Sequence, residues 1–152
     1  MTTLKARLRT DMTAALKARD ELTLATLRMA LTAVQTEEVA GKQARELSEE
    51  EVLAVLGREA KKRREAAEAF DGAGRVELAS RERAEGEVLA RYLPAPLSDD
   101  ELVALVRAAV AESGATEPRQ MGQVMRIVQP QTTGRADGKR VSDEVKRQLA
   151  GG

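Results

Sequence analysis

The chain contains no histidine, no cysteine and no tryptophan, and its aromatic residues are Phe70 and Tyr92 alone. Without histidine or cysteine the usual catalytic base, the thiol nucleophile and the commonest zinc ligands are missing together, so Ser-His and Cys-His chemistry is excluded and no metal site is expected. The absence of cysteine also rules out disulfides and suits a reducing compartment, so the expected location is the cytoplasm. With Lys plus Arg and Asp plus Glu both at 25, the formal charge is zero, and no global field drives the protein onto nucleic acid or anionic lipid. No 18 apolar residues run together, and Met1-Thr2-Thr3-Leu4-Lys5-Ala6-Arg7 lacks the apolar core of a signal peptide, so no membrane association is expected.

What is present is a set of small aliphatic residues at helical spacing. The 152 residues fit one domain or two small ones. Hydrophobic residues make up 42% of them and are nearly all Ala, Leu and Val, a composition better suited to packed helices than to sheets. Leu4, Leu8, Met12, Ala15 and Leu16 mark a first helix ending near Arg19-Asp20. From Leu22 to about Ala40, Leu24, Leu27, Met29, Leu31 and Val34 spread around most of the cylinder, predicting a central helix contacted from several sides and stopped by Gly41. Ser48-Glu49-Glu50-Glu51 is a capping box that opens a third helix, running to Asp71-Gly72-Ala73-Gly74, and a fourth covers about Arg75 to Leu93.

Pro94-Ala95-Pro96 cannot continue a helix, because proline lacks the backbone donor and restricts the residue before it. A boundary there gives an all-α chain: an N-terminal subdomain of about four helices over residues 1–93, then a C-terminal three-helix subdomain over residues 94–152. Ser98-Asp99-Asp100-Glu101 is a second capping box, opening a fifth helix that closes at Ser113-Gly114. A sixth helix after Thr116, with Met121, Val124, Met125 and Val128, is predicted to stop before Pro130. After the loop Gln131-Thr132-Thr133-Gly134-Arg135-Ala136, Asp137 caps a seventh, striped by Val141, Val145 and Leu149.

The acidic residues sit mainly in capping boxes or beside opposite charges, which reads as structural, and Glu-x-x-His pairs for a dimetal bundle do not exist. Gly134-Arg135-Ala136-Asp137-Gly138-Lys139-Arg140 superficially matches a phosphate-binding loop, but its glycines are one residue too close, Arg140 stands where Ser or Thr would bind magnesium, and no strand precedes it. The same loop places Arg135, Lys139 and Arg140 at a helix N-terminus, where backbone amides favour phosphate. With Arg126, Lys146 and Arg147, residues 121–152 carry six basic and three acidic side chains. Lys61-Lys62-Arg63-Arg64 forms a second basic run and a second candidate RNA contact, although four consecutive residues wrap a full turn and more often mark a solvated face. Scarce aromatics disfavour single-stranded RNA, which is read by stacking, and fit a folded RNA recognised by backbone and shape.

Met121-Gly122-Gln123-Val124-Met125, Pro130, Gly134-Arg135-Ala136-Asp137-Gly138 and the segment from Val141 to Val145 together resemble the GatB/YqeY family. Thr26-Leu27-Arg28-Met29 within the Leu22-to-Val39 helix, and Tyr92-Leu93-Pro94, resemble its N-terminal hallmark and its interdomain junction. In that family a small helical module stands alone or forms the tail of the B subunit of the tRNA-dependent amidotransferase, a carbon–nitrogen ligase with glutamine as amido donor; related modules are appended to some glutaminyl-tRNA synthetases. The resemblance implies tRNA as partner, and an aminoacyl-tRNA synthetase or amidotransferase as associate, for a module with no catalytic site or cofactor of its own. The competing reading, from zero net charge and scarce aromatics, is a helical protein–protein adaptor. Gly122 inside a helix costs roughly 1 kcal/mol against alanine, which predicts close packing there, while Arg135, Lys139 and Arg140 are the candidate phosphate contacts, with the alternative for Arg135 that it pairs with a carboxylate and braces the loop.

Overall fold

The computed structural model describes residues 2–151, among which there are seven α-helices and no strand. These are α1 (Leu4–Ala18), α2 (Glu21–Glu38), α3 (Glu49–Gly72), α4 (Val76–Ala90), α5 (Asp99–Ser113), α6 (Met121–Thr132) and α7 (Gly138–Gly151), with one 3-10 turn at Pro118–Gln120. The chain divides into two compact units, parted between Leu93 and Pro94.

The N-terminal unit is built around a long α3–α4 hairpin and the α1–α2 pair, and α2 touches α1, α3 and α4. Its core consists of Leu8, Leu27, Ala30, Val34, Val52, Val55, Leu56, Val88, Leu89 and Tyr92. Leu8, Leu27 and Leu56 are fully buried, each contributing about 1.5–3 kcal/mol by burial. Tyr92, the one aromatic residue in this core, keeps its polar tip satisfied by donating its hydroxyl to the Asp11 carboxylate, and the Arg7 guanidinium lies 5.1 Å from its ring centre. Burial, then Asp11, pushes the Tyr92 hydroxyl pKa up, so it stays a donor.

The capping boxes form as their spacing dictates. Ser48 accepts from the Glu51 amide while Glu51 accepts from the Ser48 amide, and Ser98 and Glu101 repeat the pattern at α5. Arg45, then the Ser48 amide, lowers the Glu51 carboxyl to about 2. Gly114 ends α5 with φ +73°, a left-handed cap that a side chain would strain.

Three sequence expectations are corrected here. The end of α2 is Glu38 rather than Ala40, with Gly41 lying outside the cap: the Glu38 carbonyl accepts the Arg45 amide at 3.0 Å, and its carboxylate takes Lys5 Nζ at 2.9 Å and the Leu47 amide at 3.3 Å. The returning chain, not a glycine, closes the helix. Leu16, counted on the apolar stripe of α1, is 55% exposed. Helix α6 does not stop before Pro130 but continues through it to Thr132. The proline sits in the last turn on the exposed side, so only one helical bond is lost, and the Thr133 amide still reaches the Gln129 carbonyl at 3.1 Å.

The C-terminal unit packs α5, α6 and α7 around Leu97, Leu102, Val106, Ala109, Ala115, Val124, Val128, Val141, Val145 and Leu149. The loop into α7 turns at Gly134, φ +78°, and Asp137 accepts the Arg140 amide at 2.9 Å as a helix cap.

Candidate nucleic-acid interface

The basic side chains separate by partner. In the run on α3, Lys61 pairs with Glu65 at 3.8 Å and Lys62 with Glu59 at 2.9 Å, both along the helix, and Arg64 is also engaged. Arg63 is not on a solvated face: only 12% of its side chain is exposed, and it lies 3.5 Å from Glu59, 3.7 Å from Glu82 and 3.2 Å from Glu85. It also donates to the Met29 sulfur. Arg63 therefore ties α3 to α4 and α2, and this corrects its place among the RNA-binding candidates. Three carboxylates surround one guanidinium, and Arg63 Nε and Glu82 Oε2 are buried without a hydrogen-bond partner.

In the C-terminal unit, Arg135 and Arg140 serve as braces rather than open phosphate contacts. Arg135 Nε donates to the Ala95 carbonyl at 3.0 Å, its own carbonyl accepts the Leu97 amide at 2.9 Å, and Glu101 stands 3.9 Å away. Arg140 donates one terminal nitrogen to the Leu97 carbonyl at 2.9 Å and the other to Asp99 at 2.7 Å. Together they clamp residues 95–99 onto the loop before α7. Lys139 pairs with Asp143 at 2.9 Å, a hydrogen bond that raises the lysine pKa and lowers the aspartate's, and Arg147 pairs with Glu144 at 2.6 Å. The Arg135 and Arg140 side chains are both about one-third exposed, and Arg135 takes the bracing role that was the alternative reading for it.

Arg126 and Lys146 differ from the rest. Both are exposed, and neither has an ion-pair partner among the described residues, although Lys146 adds to the field that lowers Asp143. Arg126 lies on the outer face of α6 with Gly122, Gln123, Gln129 and Pro130, all exposed. No Asp or Glu occurs anywhere from residue 118 to residue 136. An added Cβ at Gly122 would meet nothing within 4 Å, so the close packing expected of this glycine is absent. Gly122→Ala should accordingly stabilise this unit, by up to about 1 kcal/mol in a thermal melt, since only helix propensity changes. A lowered midpoint would show that the glycine packs tightly after all. Met121 is half-buried against the C-terminal core, Pro130 shapes the exposed last turn, and Gly134, Asp137 and Gly138 build the α6–α7 connection.

Among the described residues no cluster of three or more acidic side chains is placed to hold a metal ion, and no helix is long and apolar enough to cross a membrane. Two small helical units, two capping boxes and a cationic helix face free of carboxylates define the class: an all-α module of two subdomains. The model of Yqey-like proteins matches residues 5–149, and the chain belongs to that family. No curated protein matches it significantly.

Proposed function

We propose that the protein is a tRNA-binding accessory module, without a catalytic site of its own, that works beside an amidotransferase or an aminoacyl-tRNA synthetase. The observation that carries this reading is the outer face of α6, where Arg126 stands without a neutralising carboxylate among neutral, hydrogen-bonding side chains. A phosphate backbone meets no like charge there, the amides of Gln123 and Gln129 suit sugar and phosphate oxygens, and the open surface at Gly122 lets a backbone approach closely. Scarce aromatics favour a folded RNA, recognised by shape, over a stacked single strand.

The test is a titration of the full chain with folded tRNA at two salt concentrations, beside an unstructured RNA. Replacing Arg126 and Lys146 by alanine should weaken tRNA binding and reduce the slope of log affinity against log salt by about two, one for each phosphate no longer neutralised. The adaptor reading draws on Val76 and Leu78, which are 67% and 41% exposed beside the α3–α4 turn. Salt-independent binding, or none, would favour that reading.

A further inference from the structure

We infer that the outer face of α1 is a second RNA-backbone contact, carried by Arg9, Thr10 and Lys17. It rests on the RNA-binding reading and adds to it a surface in the other unit. Helix α1 and its cap residue hold Lys5, Arg7, Arg9, Lys17 and Arg19 against Asp11 alone, in a protein whose formal charge is zero. Asp11 is engaged by Tyr92 and Lys5 by Glu38. Arg9, Lys17 and Arg19 have no ion-pair partner among the described residues, and Arg9 adds only to the field on Glu38.

Arg9, Thr13 and Lys17 follow one another at i, i+4 and i+8, which stacks them along one side of the helix over about 12 Å. Thr10 flanks them, and all four are exposed. This side is opposite the one that buries Leu8 and Ala15, so packing leaves it uncovered within its unit. Its chemistry selects among occupants. The one large apolar side chain here is Leu16, too little for a helix that inserts into lipid, and no aromatic anchor is present for a protein interface. Cations interleaved with threonine hydroxyls are the usual donors to phosphate and sugar oxygens. Thr13 already donates to the Arg9 carbonyl at 3.1 Å, which leaves Thr10 as the hydroxyl donor.

The experiment compares the full chain with the double variant Arg9→Gln/Lys17→Gln, which keeps helix propensity and touches no buried group. With folded tRNA as probe, the salt slope should fall by about two while the melting midpoint holds. Binding should weaken again when Arg126→Ala/Lys146→Ala is added. An unchanged slope in the α1 variant, with a reduced one in the Arg126/Lys146 variant, overturns this inference and leaves the proposed function standing. Failure of the unaltered protein to bind tRNA overturns both. Loss of binding to phosphatidylserine-containing vesicles, with tRNA binding intact, would assign the face to lipid and overturn it as well.

Discussion

Replacing Arg63 by methionine should destabilise the N-terminal unit by about 3–5 kcal/mol, the cost of removing one partner from a buried charge network. Methionine keeps the length and apolar stem of the side chain, so the loss reports the charge. Glu59 is 7% exposed and Glu82 and Glu85 are largely covered; in the variant Glu59 keeps Lys62 and Glu85 keeps Arg81, while Glu82 loses the one cation paired with it among the described residues. Urea unfolding of the variant and the parent at neutral pH measures this. A variant within about 1 kcal/mol of the parent would show the network to be solvated and weak.

The elements that were legible in the sequence are those fixed by neighbours along the chain. Ser48 with Glu51 and Ser98 with Glu101 write the starts of α3 and α5 in four residues each, and Gly114 writes the end of α5 because a left-handed cap excludes most side chains. Asp137 capping α7 is equally local. What was not legible depends on distant partners. Four consecutive basic residues sweep about 300° of a helix, so one of Lys61 to Arg64 must face inward. The sequence does not say that it is Arg63, whose acceptors Glu82 and Glu85 arrive from another helix. Arg135 and Arg140 meet the 95–99 segment about forty residues earlier in the chain, and that contact turns two candidate ligand-binding arginines into braces. Gly122 reads as tight packing from its propensity cost, yet its surroundings are open. The charge imbalance of α1 stands in the sequence, but which of its cations are already engaged requires the positions of Glu38 and Tyr92.

Arg140→Ala should lower the stability of the C-terminal unit by about 1–3 kcal/mol, because two charge-assisted hydrogen bonds disappear at once. The Leu97 carbonyl and the Asp99 carboxylate are the acceptors, and Leu97 itself is buried in the core, so releasing this segment loosens the packing as well. Arg140→Lys should recover only part of the loss, since a single ammonium cannot span both acceptors as the planar guanidinium does. Lys139→Ala is the control next door: its pair with Asp143 is exposed and lies along one helix, so the midpoint should hold. Thermal melts of the three variants, with tRNA titrations kept well below each midpoint, separate stability from binding. If Arg140→Ala leaves the midpoint unchanged while tRNA binding and its salt slope fall, the arginine is not a brace, and the loop before α7 returns as the RNA-binding surface. If the midpoint falls while the slope measured on folded protein holds, phosphate recognition lies elsewhere, on the faces where Arg126, Lys146, Arg9 and Lys17 stand without an ion-pair partner among the described residues.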